Sequence, residues 1–151
     1  MHTHIDQATP ADIPALCALL SLLFAQEAEF APNTEAQTRG LTQIISNPEV
    51  GAILVARNGD EIAGMVNLLF SVSTALGERV AWLEDMVVAP QARGGGIGSQ
   101  LLTQAIALAR SQGCRRITLL TDGDTEAAQR FYSQHGFTRS NMLPMRLSLG
   151  E

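Results

Sequence analysis

Apolar residues recur along this chain with two different periods. Leu16, Leu19, Leu20, Leu23 and Phe24 fall three and four apart, which predicts an amphipathic helix. Asp12 is its expected N-cap, with Pro14 in the first turn. A second helix is expected over Thr34–Ile45, stopped by Asn47 and Pro48. From residue 51 the period shortens. Gly51–Arg57 is a compact apolar run, Asn58-Gly59 is a strong hairpin signal, and Glu61–Phe70 returns, so an antiparallel pair follows. Ser71–Gly77 is small and polar and reads as a loop, and Arg79–Val88 as the next strand. A helix then runs from about Ser99 to Gln112, with Leu101, Leu102, Ala105, Leu108 and Ala109 on one face and Gly113 as its C′ residue. Arg116–Thr121 reads as a strand. A helix capped by Asp124 or Thr125 reaches His135 and is ended by Gly136, and a last strand is expected from Met142 to Leu149. Met1–Pro10, with His2 and His4, is expected to fray. The order ααββ followed by βαβαβ predicts an α/β fold with a mixed sheet.

At 151 residues the chain should form one domain, residues 1–151. With 46% apolar and 17% charged residues it has enough apolar surface for a core. A net charge of −5 argues against a nucleic-acid partner, which would need a basic face. It suits an enzyme acting on cationic small molecules. All basic residues are Arg, which excludes a Schiff-base lysine and a Walker A nucleotide site. Cys17 and Cys114 show no metal or redox spacing, and the histidines form no ligand cluster, so two buried free thiols and no metal are expected. The N-terminus lacks a basic n-region and a cleavage site. The longest apolar run, Ala15–Ala25, is far shorter than the roughly 20 residues of a membrane span. No membrane partner and a cytoplasmic location are therefore expected.

The strongest chemical signal is Arg93-Gly94-Gly95-Gly96-Ile97-Gly98-Ser99 between a strand and a helix. A helix N-terminus offers unpaired N–H groups and a positive dipole end. Glycine lets a ligand approach the backbone and allows positive φ, and Arg93 suits phosphate. A phosphate or pyrophosphate is the expected ligand part. A Rossmann dinucleotide site fits less well. Its GxGxxG would end on Ser99, and no acidic residue lies about 20 positions further on to hold a ribose.

The stretch Val87–Gly98 resembles motif A of the GNAT superfamily, the CoA-dependent N-acetyltransferases, whose core (Arg/Gln)-x-x-Gly-x-(Gly/Ala) reads here from Arg93 to Gly98. Ala127–Phe137 is similar to that family's motif B, Ala-x-x-Phe-Tyr-x-x-x-Gly-Phe. Both motifs occur in order, separated by one helix and one strand. The resemblance is most specific over Trp82–Phe137 and implies a GNAT-like twisted, mostly antiparallel sheet flanked by helices.

It also implies transfer of an acetyl group from acetyl-CoA to an amine without a covalent enzyme intermediate. Arg93, Gly94, Gly95, Gly96, Ile97, Gly98 and Ser99 would then cradle the pyrophosphate. Met86, Val87 and Val88 would pair with the pantetheine arm and offer an N–H to the thioester carbonyl. By position Glu84 resembles the family's general base and Tyr132 its general acid. Adjacent residues on a regular strand face opposite sides, so Asp85 would join Glu84 only if the strand were bulged; Asp85 is expected to help hold a cationic substrate. Where the family often has an Asn that contacts the CoA arm, this chain has Thr125. The stretch Phe70–Val88, with Leu76-Gly77 and then Leu83-Glu84-Asp85-Met86-Val87-Val88, is similar to the polyamine- and diamine-acetylating branch. Relatives form dimers through C-terminal strands, and the apolar Met142–Leu149 permits a homodimer. Besides a small-molecule N-acetyltransferase, the residues leave open an acyl-CoA-binding module without turnover, an enzyme acting on a protein or peptide amine, and a nucleotide-binding protein.

Overall fold

The computed structural model describes residues 3–26, 31–121 and 126–150. Its elements are β1 (Thr3–Gln7), α1 (Ile13–Gln26), α2 (Thr34–Ser46), β2 (Gly51–Asn58), β3 (Glu61–Ser73), β4 (Glu78–Val88), α3 (Ile97–Ser111), β5 (Cys114–Leu119) and α4 (Glu126–Gln134). The five strands lie side by side in chain order. Neighbours are antiparallel except β4 and β5, which run parallel with α3 as their crossover. This is the mixed, mostly antiparallel sheet flanked by helices that the sequence predicted.

The sheet carries a core on each face. Leu54, Val66, Leu68 and Leu83 pack under Leu101 and Leu102 of α3. Ile53, Val55, Met65 and Val87 pack under Leu16, Leu19 and Leu20 of α1 and Leu41 of α2. Cys17 and Cys114 are free and buried.

Both ends of the chain depart from expectation. From Thr3 onward the N-terminal segment is ordered in the sheet: His4 lies within β1, which pairs with β2 from Thr3↔Asn58 to Gln7↔Leu54, while Met1 and His2 lie outside the described residues. Thr3–Gln7 has a single aliphatic residue, Ile5, so no period was visible. Cross-strand bonds hold it, among them Thr3 Oγ1 donating to Asn58 Oδ1 at 2.7 Å. Asp12 is not the N-cap. Thr9 occupies that position before a 3₁₀ turn, Pro10–Asp12, that leads into α1. Asp12 instead accepts from the Thr9 backbone N–H at 2.8 Å and from Arg57 Nη2 at 2.7 Å, while Arg57 Nε donates to Asp6 at 2.9 Å. The Arg57 guanidinium holds the Asp12 carboxyl down at about 2.

The expected last strand is absent. Residues 142–149 form no strand, and Met142, Leu143, Met145, Leu147 and Leu149 are 82–91% exposed. Their alternation is a strand signal, but a strand exists only where a neighbour completes its hydrogen bonds; among the described residues nothing pairs with the outer edge of β5. Smaller shifts have cross-strand or capping causes. β3 runs on to Ser73 because Ser71–Ser73 pair with Glu78–Val80, α3 opens at Ile97, and β5 begins at Cys114. The expected caps of α4, Asp124 and Thr125, lie outside the described residues.

Candidate active site

Beyond Val88 a short turn, Pro90–Ala92, delivers the chain to Arg93, whose Nε donates back to the Val88 carbonyl at 3.0 Å. Gly94 and Gly96 then take φ of 89° and 84°. That left-handed region costs a residue with a Cβ roughly 1–2 kcal/mol. Gly96 is the N-cap of α3 and no side chain caps the helix. The first intrahelical bond runs from the Gln100 N–H to the Gly96 carbonyl at 3.0 Å. The N–H groups of Ile97, Gly98 and Ser99 are thus left without intrahelical acceptors. They open on a cleft of about 250 Å³ bounded by Val88, Arg93, the loop and Phe131 of α4. A side chain on Gly98 would begin to fill it, since a Cβ there would lie 3.5 Å from the Phe131 ring. Gly95 belongs to the loop but does not line the cleft. Free donors, a glycine floor and an arginine fit an oligophosphate.

β4 supplies the second part. It pairs with β5 only as far as Leu83↔Leu119. From Glu84 to Val88 its edge away from β3 has no strand beside it among the described residues, so the backbone groups of Met86–Val88 are placed for an extended ligand. On its other edge the register slips. Asn67 pairs with Asp85, but the next residue, Leu68, pairs with Leu83. Glu84 is the extra residue of a β-bulge. Leu83 and Met86, three positions apart, consequently both face the α3 core. Glu84 and Asp85 are brought toward the opposite face, where regular alternation would have separated them.

The two acids differ in surroundings. Glu84 is exposed and Asp85 half-buried. Burial pushes the Asp85 carboxyl up, a hydrogen bond from Asn67 Nδ2 at 3.2 Å pulls it down, and the Glu84 charge adds a further push upward. Asn67 is 4% exposed, and its Oδ1 is buried with no hydrogen-bond partner. An unpaired buried carbonyl costs about 1–3 kcal/mol. Sequence reasoning missed Asn67; the signal was a lone amide inside the apolar run Ala63–Phe70. It also passed over Trp82, which is 38% exposed and pairs with Leu69 one step along the same face.

Tyr132 stands on α4 beside Phe131. It packs with Met86 and Val88 into the α3-side core, its ring edge-on to Phe131 at 5.2 Å and to Phe137 at 5.6 Å. Burial pushes its hydroxyl up to about 12, so it keeps its proton at neutral pH. The structure therefore gathers Val88, the glycine loop and α4 around one cleft, and sets Glu84 and Asp85 on the other face of β4. Thr125 lies outside the described residues. Among the described residues no group of His, Cys, Asp and Glu is placed to hold a metal, and no helix is long and apolar enough to cross a membrane.

Residues 16–137 match the Acetyltransferase (GNAT) family. The chain is 31% identical over 137 residues to the aminoalkylphosphonate N-acetyltransferase of Salmonella typhimurium, covering 91% of this chain and 86% of that protein. A Bacillus halodurans structure described as a transcriptional regulator is 29% identical, with a TM-score of 0.81 over 98% of this chain and 100% of that one. The aminoglycoside N-acetyltransferase AAC(6')-Iy, solved with CoA, shares the fold at 18% identity, with a TM-score of 0.81 over 97% of this chain and 95% of that one.

Proposed function

The chain belongs to the GNAT acetyltransferase family and is an acetyl-CoA-dependent N-acetyltransferase; from that premise we propose that residues 1–151 form one domain that acetylates a small-molecule primary amine by direct attack. Acetyl-CoA supplies the acetyl group as a thioester. Arg93 and the N–H groups of Ile97–Ser99 hold its pyrophosphate over the glycine floor, and the free edge of Met86–Val88 pairs with its amide-rich arm. An N–H on that edge polarises the thioester carbonyl.

An alkylammonium must lose a proton before it can attack. Glu84 takes that proton, directly or through water, and Asp85 holds the cationic substrate. The C–N bond forms as the C–S bond breaks, Tyr132 donates its hydroxyl proton to the departing sulfur, and the second proton that nitrogen sheds as the amide forms passes through water to restore the Tyr132 phenol. The observation that carries this reading is the bulge, which sets both acids on one face of β4, where its outer edge has no strand beside it among the described residues, with Tyr132 on the other face. The aminoalkylphosphonate specificity of the Salmonella relative and the diamine-like Leu83–Val88 both favour a compact primary amine.

Thermal unfolding with acetyl-CoA, NAD and ATP tests the donor site. Acetyl-CoA at about 100 times its Kd should add roughly 2.7 kcal/mol of stability, and the other two should add none. Thiol release with 2-aminoethylphosphonate and putrescine then tests the acceptor. A melting shift with NAD or ATP alone, or no release with any primary amine, would count against this function.

We further propose that two copies dimerise through the alternating, exposed residues Leu143, Met145, Leu147 and Leu149, which add to the free β5 edge of the other copy. A chain shortened after Asn141 should elute as a monomer where the full chain elutes as a dimer. A full-length monomer would refute the pairing.

A further inference from the structure

Asn67 has a place in this site that neither motif announces. It sits in the middle of β3, flanked on its own face by Met65 and Leu69, at a depth where an aliphatic residue would be expected. Half of its amide is used and half is wasted: Nδ2 donates to Asp85 at 3.2 Å, and Oδ1 is buried without a partner. An amide tolerated under those conditions is there for the one bond it makes. That bond spans the register position where β4 bulges, so it ties Asp85 to the sheet beside the extra residue Glu84.

We propose that Asn67 is a positioning residue, whose amide fixes the Asp85 carboxyl group on the acceptor side of the bulge so that a cationic amine meets a preset acceptor next to Glu84. The inference rests on the substrate role given to Asp85 above. A bond donated to a carboxylate favours its charged form, against the burial that disfavours it. Among the described residues few other charges compete on this face. Helix α1, packed over it, carries Cys17 as its only titratable side chain, and the Glu35 and Arg39 of α2, which covers the same face, are exposed. On β3 the sole ionisable residue is Glu61, and on β4 Glu78 and Arg79 lie at the far end. Glu84 is the one neighbouring charge that acts on Asp85 among the described residues, and it opposes ionisation.

The test compares the full chain with Asn67→Leu, close in volume, and Asn67→Ala, in case the leucine is not accommodated. The Asp85 carboxyl is followed by carbon-13 NMR across pH in the free protein, and acetylation of propylamine is measured across the same range. Asp85 should titrate about one pH unit higher in either variant. The acid limb of kcat/KM for propylamine should move with it, through KM more than kcat. A packing role alone would leave both midpoints in place. An Asp85 midpoint unchanged in both variants overturns the proposal, as does a midpoint that moves while the acid limb stays. Asp85→Asn separates the premise from the inference. If it leaves the KM for propylamine unchanged, the substrate role of Asp85 falls. If it raises KM while the Asn67 variants do not, the role of Asn67 alone falls.

Discussion

The glycine-loop end of the site is made of backbone, and the acid end is made of side chains. At Gly94–Ser99 the useful groups are N–H donors that any sequence would carry; what the residues contribute is permission for φ of 89° and 84° and the absence of a capping side chain. At Glu84, Asp85 and Asn67 the backbone contributes a single slipped register, and chemistry comes from which side chains that slip brings together. A backbone site is local and tolerates most changes that keep its glycines. A side-chain site depends on two strands, and one substitution can empty it. The two ends should therefore fail separately, the loop in donor binding and the bulge in turnover.

Glu84→Gln should give the largest effect. It keeps shape but removes the proposed base, and acetyl transfer at neutral pH should fall about 10²–10⁴-fold. Stabilisation by acetyl-CoA should persist in the melting curve, and loss of both together would dissolve the distinction between the ends. Gly96→Val should come next, with the opposite signature. A β-branched residue at φ 84° is strained by roughly 1–3 kcal/mol, so acetyl-CoA should bind about 10- to 100-fold more weakly, by calorimetry, with the amine KM little changed.

Tyr132→Phe should lower kcat by about tenfold or less, because a thiol of pKa about 8.5 is already a fair leaving group. Its ring contacts with Phe131 and Phe137 survive the change, so stability should hold. The smallest expected change in activity, none, comes from Asp12→Asn, remote from both ends. Asp12 sits at about 2, below its ordinary value of 3.8, so its contribution to stability is present above about pH 4 and fades as pH falls toward 2. The melting deficit of the variant at pH 7 should shrink over that interval.

The glycine loop was legible as a candidate site because its residues lie in one stretch of chain, and motif B pointed to Tyr132 as a candidate in the same way. Glu84 and Asp85 were legible as a pair of acids in an apolar strand, but not their sharing of a face. Alternation predicts opposite faces, and only pairing with β3 reveals the bulge. Asn67 was unreadable as a partner of Asp85 because eighteen positions separate them. β1 was invisible for a related reason: its sequence has no apolar period, and its Asp6 is tied through Arg57 of β2 to Asp12 of the turn before α1.

The chain on its own determined the helices, the central strands, the free buried thiols and the glycine-rich loop, since each follows from residues within one turn or one strand of each other. Tertiary structure decided the rest. It placed the two end segments, β1 in the sheet and residues 142–149 outside it, and it set the single-residue slip that turns Glu84 and Asp85 toward one face. The reason is the same in each case: a strand's neighbours and register are fixed by hydrogen bonds to another segment, and no pattern within the strand itself encodes which segment that is.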